Sequence, residues 1–377
     1  METRKLLSQL IAIPSVFPEE MQLGKYLHDY LYRLGFNVQY VATGKYRKNI
    51  VATIGKSASY IGLYGHMDTV QPDRGYKRDP YRMIVRKQQA FGLGVADMKG
   101  GITVILKTAQ YASEHELPLK VIFGVDEENI SEGAHNLVES GKLADVACMI
   151  VGESGQVENY SQAFSVCYGR KGRILFRMNV FGKTAHAAEF HRGINAIDNA
   201  VRMVSFLHTM RFPEGGKLGK TLLVVHAISS TTDSFSVPDR CDIEFSLLTA
   251  EGVQSDMFRQ QVAAWAKRQG IIIELAPVSR KTPYAEWYAV DRRNSFVHTI
   301  EKEIFVRYGA RPKYTASVAD ENIFARRLKI PVITIGPLGG GDHTANEWVD
   351  LHSLDHAVSA YQDIVRLYSE FERSVER

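Results

Sequence analysis

Apolar residues recur along this chain with two periods, and the way the periods alternate predicts an α/β fold. Residues 4–12 and 19–34 repeat apolar positions every three or four residues, so both predict helices. In the second, Leu23, Leu27, Leu31 and Leu34 form one stripe, and Gly35 stands where a C-terminal cap needs positive φ. Short strands are predicted at 37–42 and 49–54, and compact apolar runs at 60–65, 119–125, 146–151 and 331–335 read as further strands. Helical segments begin near Gly101 and cover 132–141 and 294–308. Another enters from 316–324 and ends near Leu328. A last helix is predicted from Ser353 as N-cap, with Leu354, Val358, Tyr361, Val365 and Tyr368 as its buried stripe. The polar stretch 71–90 predicts a loop with a hairpin.

The pattern changes near residue 169. Ile174, Phe176, Met178 and Val180 alternate with Leu175, Arg177 and Asn179, as in a half-exposed strand. A helix at 193–209 follows, then strands near 221–229 and 239–248. A helix at 252–269 carrying Val253, Met257, Val262 and Trp265 precedes the strand Ile271–Leu275. The order βαββαβ is that of a ferredoxin-like unit. The predicted organisation is therefore a first domain in two parts, 1–168 and 282–377, interrupted by an inserted domain at 169–281.

Composition narrows the function classes. With 377 residues, 45% hydrophobic and 23% charged, the chain has the make-up of a globular protein with sizeable cores. Its formal charge of +4 is not gathered into a basic run, and no aromatic-basic interleaving argues for nucleic acid. No run of 18 apolar residues predicts a membrane span. The N-terminal segment lacks the apolar core of a signal peptide, and Cys148, Cys167 and Cys241 make no C-x-x-C pair. The expectation is a cytoplasmic protein with reduced thiols.

The chemistry collects at strand ends, where open α/β sheets bind ligands. The strand at 60–65 delivers His66, and Asp68 leaves an extended backbone on the same side. The strand at 119–125 ends in Asp126-Glu-Glu128, which is either a solvated acidic turn or a set of acids held near positive charge. Val146–Val151 ends in Gly152-Glu153, and His343 lies beyond the strand at 331–335. The glycines of Phe91-Gly-Leu-Gly-Val-Ala-Asp-Met-Lys-Gly-Gly101 miss both the G-x-G-x-x-G and the Gly-Lys-Ser/Thr phosphate patterns. They read instead as a tight bend that aims Asp97 into the same cleft. His66, Asp97, Glu128, Glu153 and His343, with no thiolate, suit two Zn²⁺ ions or Co²⁺ or Mn²⁺ in their place. Glu127 is left over and has the chemistry of a general base.

Seven motifs in order carry a resemblance. Gly65-His-Met-Asp68, Gly92-Leu-Gly-Val-Ala-Asp-Met-Lys-Gly100, Asp126-Glu-Glu128, Gly152-Glu153, Gly182-Lys-Thr-Ala-His186, Gly193-Ile-Asn-Ala-Ile197 and His343-Thr-Ala-Asn-Glu347 resemble the M20 metallopeptidase/deacylase family. That family includes acetylornithine deacetylase, succinyl-diaminopimelate desuccinylase, aminoacylase-1 and glutamate carboxypeptidase. The resemblance implies a zinc-exopeptidase-like domain with helices around a mostly parallel mixed sheet, and an inserted lid and dimerisation domain. It also implies that Asp97 bridges two metals, with His66 and Glu153 completing one site and Glu128 and His343 the other. Asp68 would orient His66, Glu127 would be the base, and the Asp97–Met98 peptide would be cis. In dimeric relatives a histidine matching His186 reaches the partner's active site and helps stabilise the oxyanion. Arg170, Lys171 and Asn195 are the candidate substrate contacts. One departure stands out: many relatives carry Asp-x-Arg on the strand after Val237–Cys241, where this chain has Phe245-Ser-Leu-Leu248.

The expected activity is hydrolysis of N-acyl amino acids or small peptides by a homodimer, with deacylase favoured over carboxypeptidase or dipeptidase. A binding protein that has lost catalysis would need a broken ligand set. A di-metal phosphoesterase would need a basic cluster around the ligands, and none is present.

Overall fold

In the computed structural model, which describes residues 2–155, 162–232 and 235–375, the apolar runs become neighbouring strands. The principal elements in chain order begin with α1 (Thr3–Ile11), α2 (Met21–Arg33), β1 (Asn37–Thr43), β2 (Arg47–Ile54), β3 (Tyr60–His66), α3 (Gly100–Glu114) and β4 (Leu119–Gly124). They continue with α4 (Glu132–Glu139), β5 (Val146–Val151), β6 (Ser165–Arg170), β7 (Gly172–Phe181), α5 (Ala196–Thr209), β8 (Leu222–Ser229) and β9 (Arg240–Thr249). The remainder are α6 (Ser255–Arg268), β10 (Ile272–Pro277), α7 (Asp320–Leu328), β11 (Val332–Gly336) and α8 (Leu351–Val375). Gly35, just past α2, has φ 86°, as its cap position requires.

The chain divides into two units. The first is Met1–Gly169, Val290–Tyr314 and Ala319–Arg377. Its sheet runs β1-β2-β4-β3-β5-β11-β6. The central strands β4, β3, β5 and β11 are parallel, while β1, β2 and β6 pair antiparallel at the flanks. Every residue of β3, β4 and β11 is buried. Helices α1, α3 and α8 pack together over this sheet, and α4 packs on α7. Such strands are apolar throughout because both of their faces are covered. Truncating one core side chain, such as the fully buried Leu63, to Ala is expected to cost about 2–5 kcal/mol.

Ser353 does not cap α8, which begins at Leu351. Asp350 Oδ1 accepts from Ser353 N at 2.8 Å, and the Ser353 hydroxyl binds Ala163 O and Leu338 N instead. The apolar stripe of α8 is buried as its spacing predicts.

The second unit is Arg170–Ala289 with Thr315–Val318. Its sheet has the order β8-β9-β7-β10, antiparallel throughout. Phe176, Met178 and Val180 of β7 meet Ala200 and Met203 of α5 and Phe258 and Val262 of α6 in one core. Met257 does not join it: it is 53% exposed, and Phe258 takes the inward position. The unit also extends beyond the expected boundary at 281. Val278 N donates to Leu175 O, Arg173 N donates to Ala285 O at 2.9 Å, and Tyr284 Oη reaches Val278 O, so residues 278–285 return along β7. Residues 315–318 join because Thr315 O accepts from Lys171 N and Ser317 Oγ binds Arg170. The part of the first unit after the insertion is accordingly Val290–Tyr314 and Ala319–Arg377, where the sequence predicted a continuous 282–377.

Candidate metal centre

Because β4, β3, β5 and β11 are parallel neighbours, their carboxyl ends share one edge of the sheet. His66 is the last residue of β3, and the segments with Glu127 and Glu128, Glu153, and His343 follow β4, β5 and β11. Asp97 arrives by a different route. Gly94 bends the chain with φ 72°, and a Cβ there would lie 2.5 Å from Thr69 Cγ2, so no other residue fits unchanged. Glu347 fastens the bend, accepting from Gly94 N at 2.7 Å with Oε2 and from Ala96 N at 2.8 Å and Asp97 N at 3.0 Å with Oε1. The Asp97–Met98 peptide is cis. Gly101, the second residue of α3, lies directly against the β5 end: a Cβ there would lie 1.9 Å from Gly152 O.

These elements bring five groups together as two triads that share Asp97. His66, Asp97 and Glu153 form one, and Asp97, Glu128 and His343 the other, with the donor atoms of each triad within 4.8 Å of one another. His66 Nε2 is 2.8 Å from Asp97 Oδ1 and 3.1 Å from Glu153 Oε1. His343 Nε2 is 3.3 Å from Asp97 Oδ2 and 3.1 Å from Glu128 Oε2. His66 Nδ1 meets the backbone carbonyl of Asp68 at 2.9 Å, so Nε2 is the nitrogen that faces the carboxylates. The Asp68 carboxylate is farther from that ring, at 3.8 Å, and accepts from Glu128 N at 3.0 Å. One residue thus steadies both triads, His66 through its carbonyl and Glu128 through its side chain.

The site is acidic beyond what its own bases balance. Burial raises the Glu153 carboxyl to about 8, with the Asp97 charge adding to the rise. Burial likewise holds Glu127 well above the usual carboxylate range, and Asp320, Glu153 and Asp97 add to the effect. His66 is raised despite its burial, because the Glu153 and Asp97 carboxylates outweigh it, and hydrogen bonds to Asp97 and Glu128 lift His343 to about 11. Asp97 alone is held low: its contacts with His343 and His66 overcome burial. Asp68 Oδ1 and Glu128 Oε1 are buried without a hydrogen bond among the described residues. Crowded carboxylates, imidazole nitrogens aimed among them and the orphaned Glu128 oxygen fit a pair of divalent cations, which would supply the missing positive charge.

The other candidates belong to the second unit. His186 is exposed, and its Nδ1 accepts from Ala188 N at 3.1 Å. Asn195 caps α5, its Oδ1 accepting from Ile197 N at 2.9 Å. Arg170 Nη1 donates to Ser317 Oγ at 2.5 Å, and the Lys171 ammonium is buried and donates to the carbonyls of Leu218 and Lys220. Where relatives carry Asp-x-Arg, Ser246 Oγ meets His226 Nε2 at 2.8 Å.

Glu347 escaped the sequence reading as a working residue, although it closes the motif that begins at His343. Its position after a metal-type histidine was the available signal. Nothing in the sequence pairs it with Gly94 and Ala96.

The chain is similar to known proteins along most of its length. A model of Peptidase family M20/M25/M40 matches residues 62–367. A succinyl-diaminopimelate desuccinylase of Halorhodospira halophila is 24% identical over 97% of this chain and 97% of its own. Among solved structures, a tripeptidase from Staphylococcus aureus superposes with a TM-score of 0.81 at 20% identity, covering 98% of both chains. A dinuclear metal-binding peptidase of the M20 family from Bacillus subtilis superposes with a TM-score of 0.74 at 16% identity, again over 98% of both. The two superpositions establish a common fold.

Proposed function

The chain belongs to peptidase family M20/M25/M40 and is a hydrolase acting on amide bonds; on that premise we propose a co-catalytic di-zinc amidohydrolase that cleaves N-acyl amino acids. The observation that carries this is Asp97, whose Oδ1 faces His66 at 2.8 Å while its Oδ2 faces His343 at 3.3 Å. His66, Asp97 and Glu153 would hold one ion, and Asp97, Glu128 and His343 the other. Nitrogen and oxygen donors without a thiolate suit Zn²⁺, with Co²⁺ or Mn²⁺ as substitutes. When bound, such a pair supplies Lewis acidity at the scissile carbonyl and lowers the pKa of water.

The side chains do the rest. Glu127 takes a proton from the attacking water and returns it to the departing nitrogen. Asp68 keeps His66 and Glu128 in register. Arg170 offers the forked donor geometry suited to a substrate carboxylate, whereas Lys171 and Asn195 direct polar atoms to backbone groups. His186 serves as a donor to the oxyanion in the partner copy of a homodimer joined through the second unit. Leu222, Val224 and Ile228 on edge strand β8, exposed at 43%, 43% and 48%, support that contact. The deacylase branch is favoured by the desuccinylase relative, which matches the chain along nearly its whole length. A cytoplasmic setting agrees with three buried cysteines, Cys148, Cys167 and Cys241, that form no disulfide. Among the described residues, no helix is long and apolar enough to cross a membrane.

The test is hydrolysis of N-acetyl, N-succinyl and N-formyl amino acids and of simple dipeptides by Zn²⁺- or Co²⁺-loaded protein, with Glu127→Gln alongside. Metal-dependent amine release from an acyl amino acid, lost in the variant, is expected. Turnover of dipeptides alone would move the assignment to the peptidase branch, and full activity in Glu127→Gln would remove the base.

A further inference from the structure

The segment that carries Glu127 and Glu128 is anchored by a cluster on the far side of Asp126. Asp126 has φ 74°, a backbone conformation that a non-glycine residue adopts only when its surroundings hold it there. Its Oδ2 accepts from Glu132 N at 2.8 Å, and its carbonyl accepts from Ser131 N at 2.7 Å, so it closes the loop between β4 and α4. Its Oδ1 receives Arg47 Nη1 at 2.7 Å. The same guanidinium turns Nε and Nη2 to Oε1 of Glu20, and its face lies 4.6 Å from the centre of the Phe17 ring. Glu20 and Asp126 are 0% and 1% exposed, so each depends on Arg47 for its compensating charge. On the other side, Glu128 N is held by Asp68. The acidic pair thus hangs between two fixed points, and Arg47 is the one that bonds to no member of the metal triads.

We propose that Arg47 is a positioning residue for catalysis: through Asp126 it sets the loop that presents Glu127 and Glu128. This rests on the function proposed above, and it adds a residue that touches neither metal donors nor Glu127. An ordinary ion pair would contribute only to stability. A guanidinium shared by two buried carboxylates fixes a direction as well, since its fork cannot satisfy both acids in any other orientation. Without it, the buried Asp126 side chain loses the contact that fixes its direction, and the loop it closes is released.

Four variants test this: Arg47→Lys, Arg47→Met, Asp126→Asn and the double variant Arg47→Met with Asp126→Asn, each checked for folding by thermal melting. The readouts are kcat and KM on the best amide substrate and the visible absorption of the Co²⁺-loaded protein, which senses the Glu128 contact. Arg47→Lys retains a charge near Glu20 but reaches only one acid at a time, and so keeps the variant folded. The expected result is a kcat lowered roughly 10- to 100-fold, as for supporting residues around metal sites, with KM within about threefold and an altered Co²⁺ spectrum. Arg47→Met with Asp126→Asn should be no worse than the poorer single variant, because both break one coupling. Wild-type kcat and Co²⁺ spectrum in folded Arg47→Lys and Arg47→Met would overturn the proposal, and so would losses that multiply in the double variant. Full turnover by Glu127→Gln would remove the base assignment alone. Arg47 would then stand or fall on the Co²⁺ spectrum and the double-variant coupling.

Discussion

His66 and His343 offer the same nitrogen to the same carboxylate, yet the fold holds them in opposite ways. His66 ends a fully buried parallel strand, its side chain has no exposed surface, and its second nitrogen is tied to Asp68 O at 2.9 Å. His343 hangs on the loop beyond β11, with φ 63° and a side chain 54% exposed. That loop is held by lighter contacts, among them Ala345 N donating to Asp73 Oδ2 at 3.1 Å and Tyr76 Oη to Thr344 O at 3.4 Å. The core positions one imidazole, and surface hydrogen bonds position the other. Changes around His66 should therefore disturb fold and chemistry together, and changes around His343 chemistry alone.

The largest effect is expected for His66→Ala. Loss of the core-held imidazole should lower kcat/KM by roughly 10³-fold or more, about 4 kcal/mol of transition-state stabilisation. It should also lower the melting temperature, and kinetics with calorimetry check both. Glu347→Gln comes next. Three backbone N–H groups rely on this carboxylate, so replacing one oxygen by an amide donor should cost about 1–3 kcal/mol of stability. The displaced Asp97 should weaken metal affinity roughly 10- to 100-fold, measured by competition with a chromophoric chelator. Asp73→Ala is the smallest change. It should weaken one metal position by about tenfold or less, while stability stays within about 0.5 kcal/mol, as for surface substitutions. A melting temperature that fell as far in Asp73→Ala as in His66→Ala would erase the contrast between the two arms.

The same contrast explains what the sequence disclosed. Residues at strand ends were legible because a short apolar run both predicts the strand and says where it stops. His66, Glu128 and Glu153 follow from that logic, and the glycines around Asp97 marked a bend that only small residues allow. Groups that act by long-range hydrogen bonding left no periodic trace. Glu347 reaches residues some 250 positions away and Arg47 reaches Asp126 across 79, and neither pairing has a local signature. Asp68 was legible as a neighbour of His66, but extended geometry pointed to its carboxylate, whereas its carbonyl takes the imidazole. The second unit runs past residue 281 for a related reason. Residues 278–285 have no apolar period and belong there through backbone hydrogen bonds to β7. Ser353 looked like a cap because a cap is chosen by residue type, and Asp350, three residues earlier, has the stronger acceptor.

The central claim is that two triads share Asp97, and anomalous diffraction at the zinc edge from crystals of the Zn²⁺-loaded protein tests it most directly. Two peaks about 3.5–4 Å apart, one beside His66 and Glu153, the other beside Glu128 and His343, with Asp97 between them, are the predicted result. A single peak, or two peaks that do not share Asp97, would contradict it.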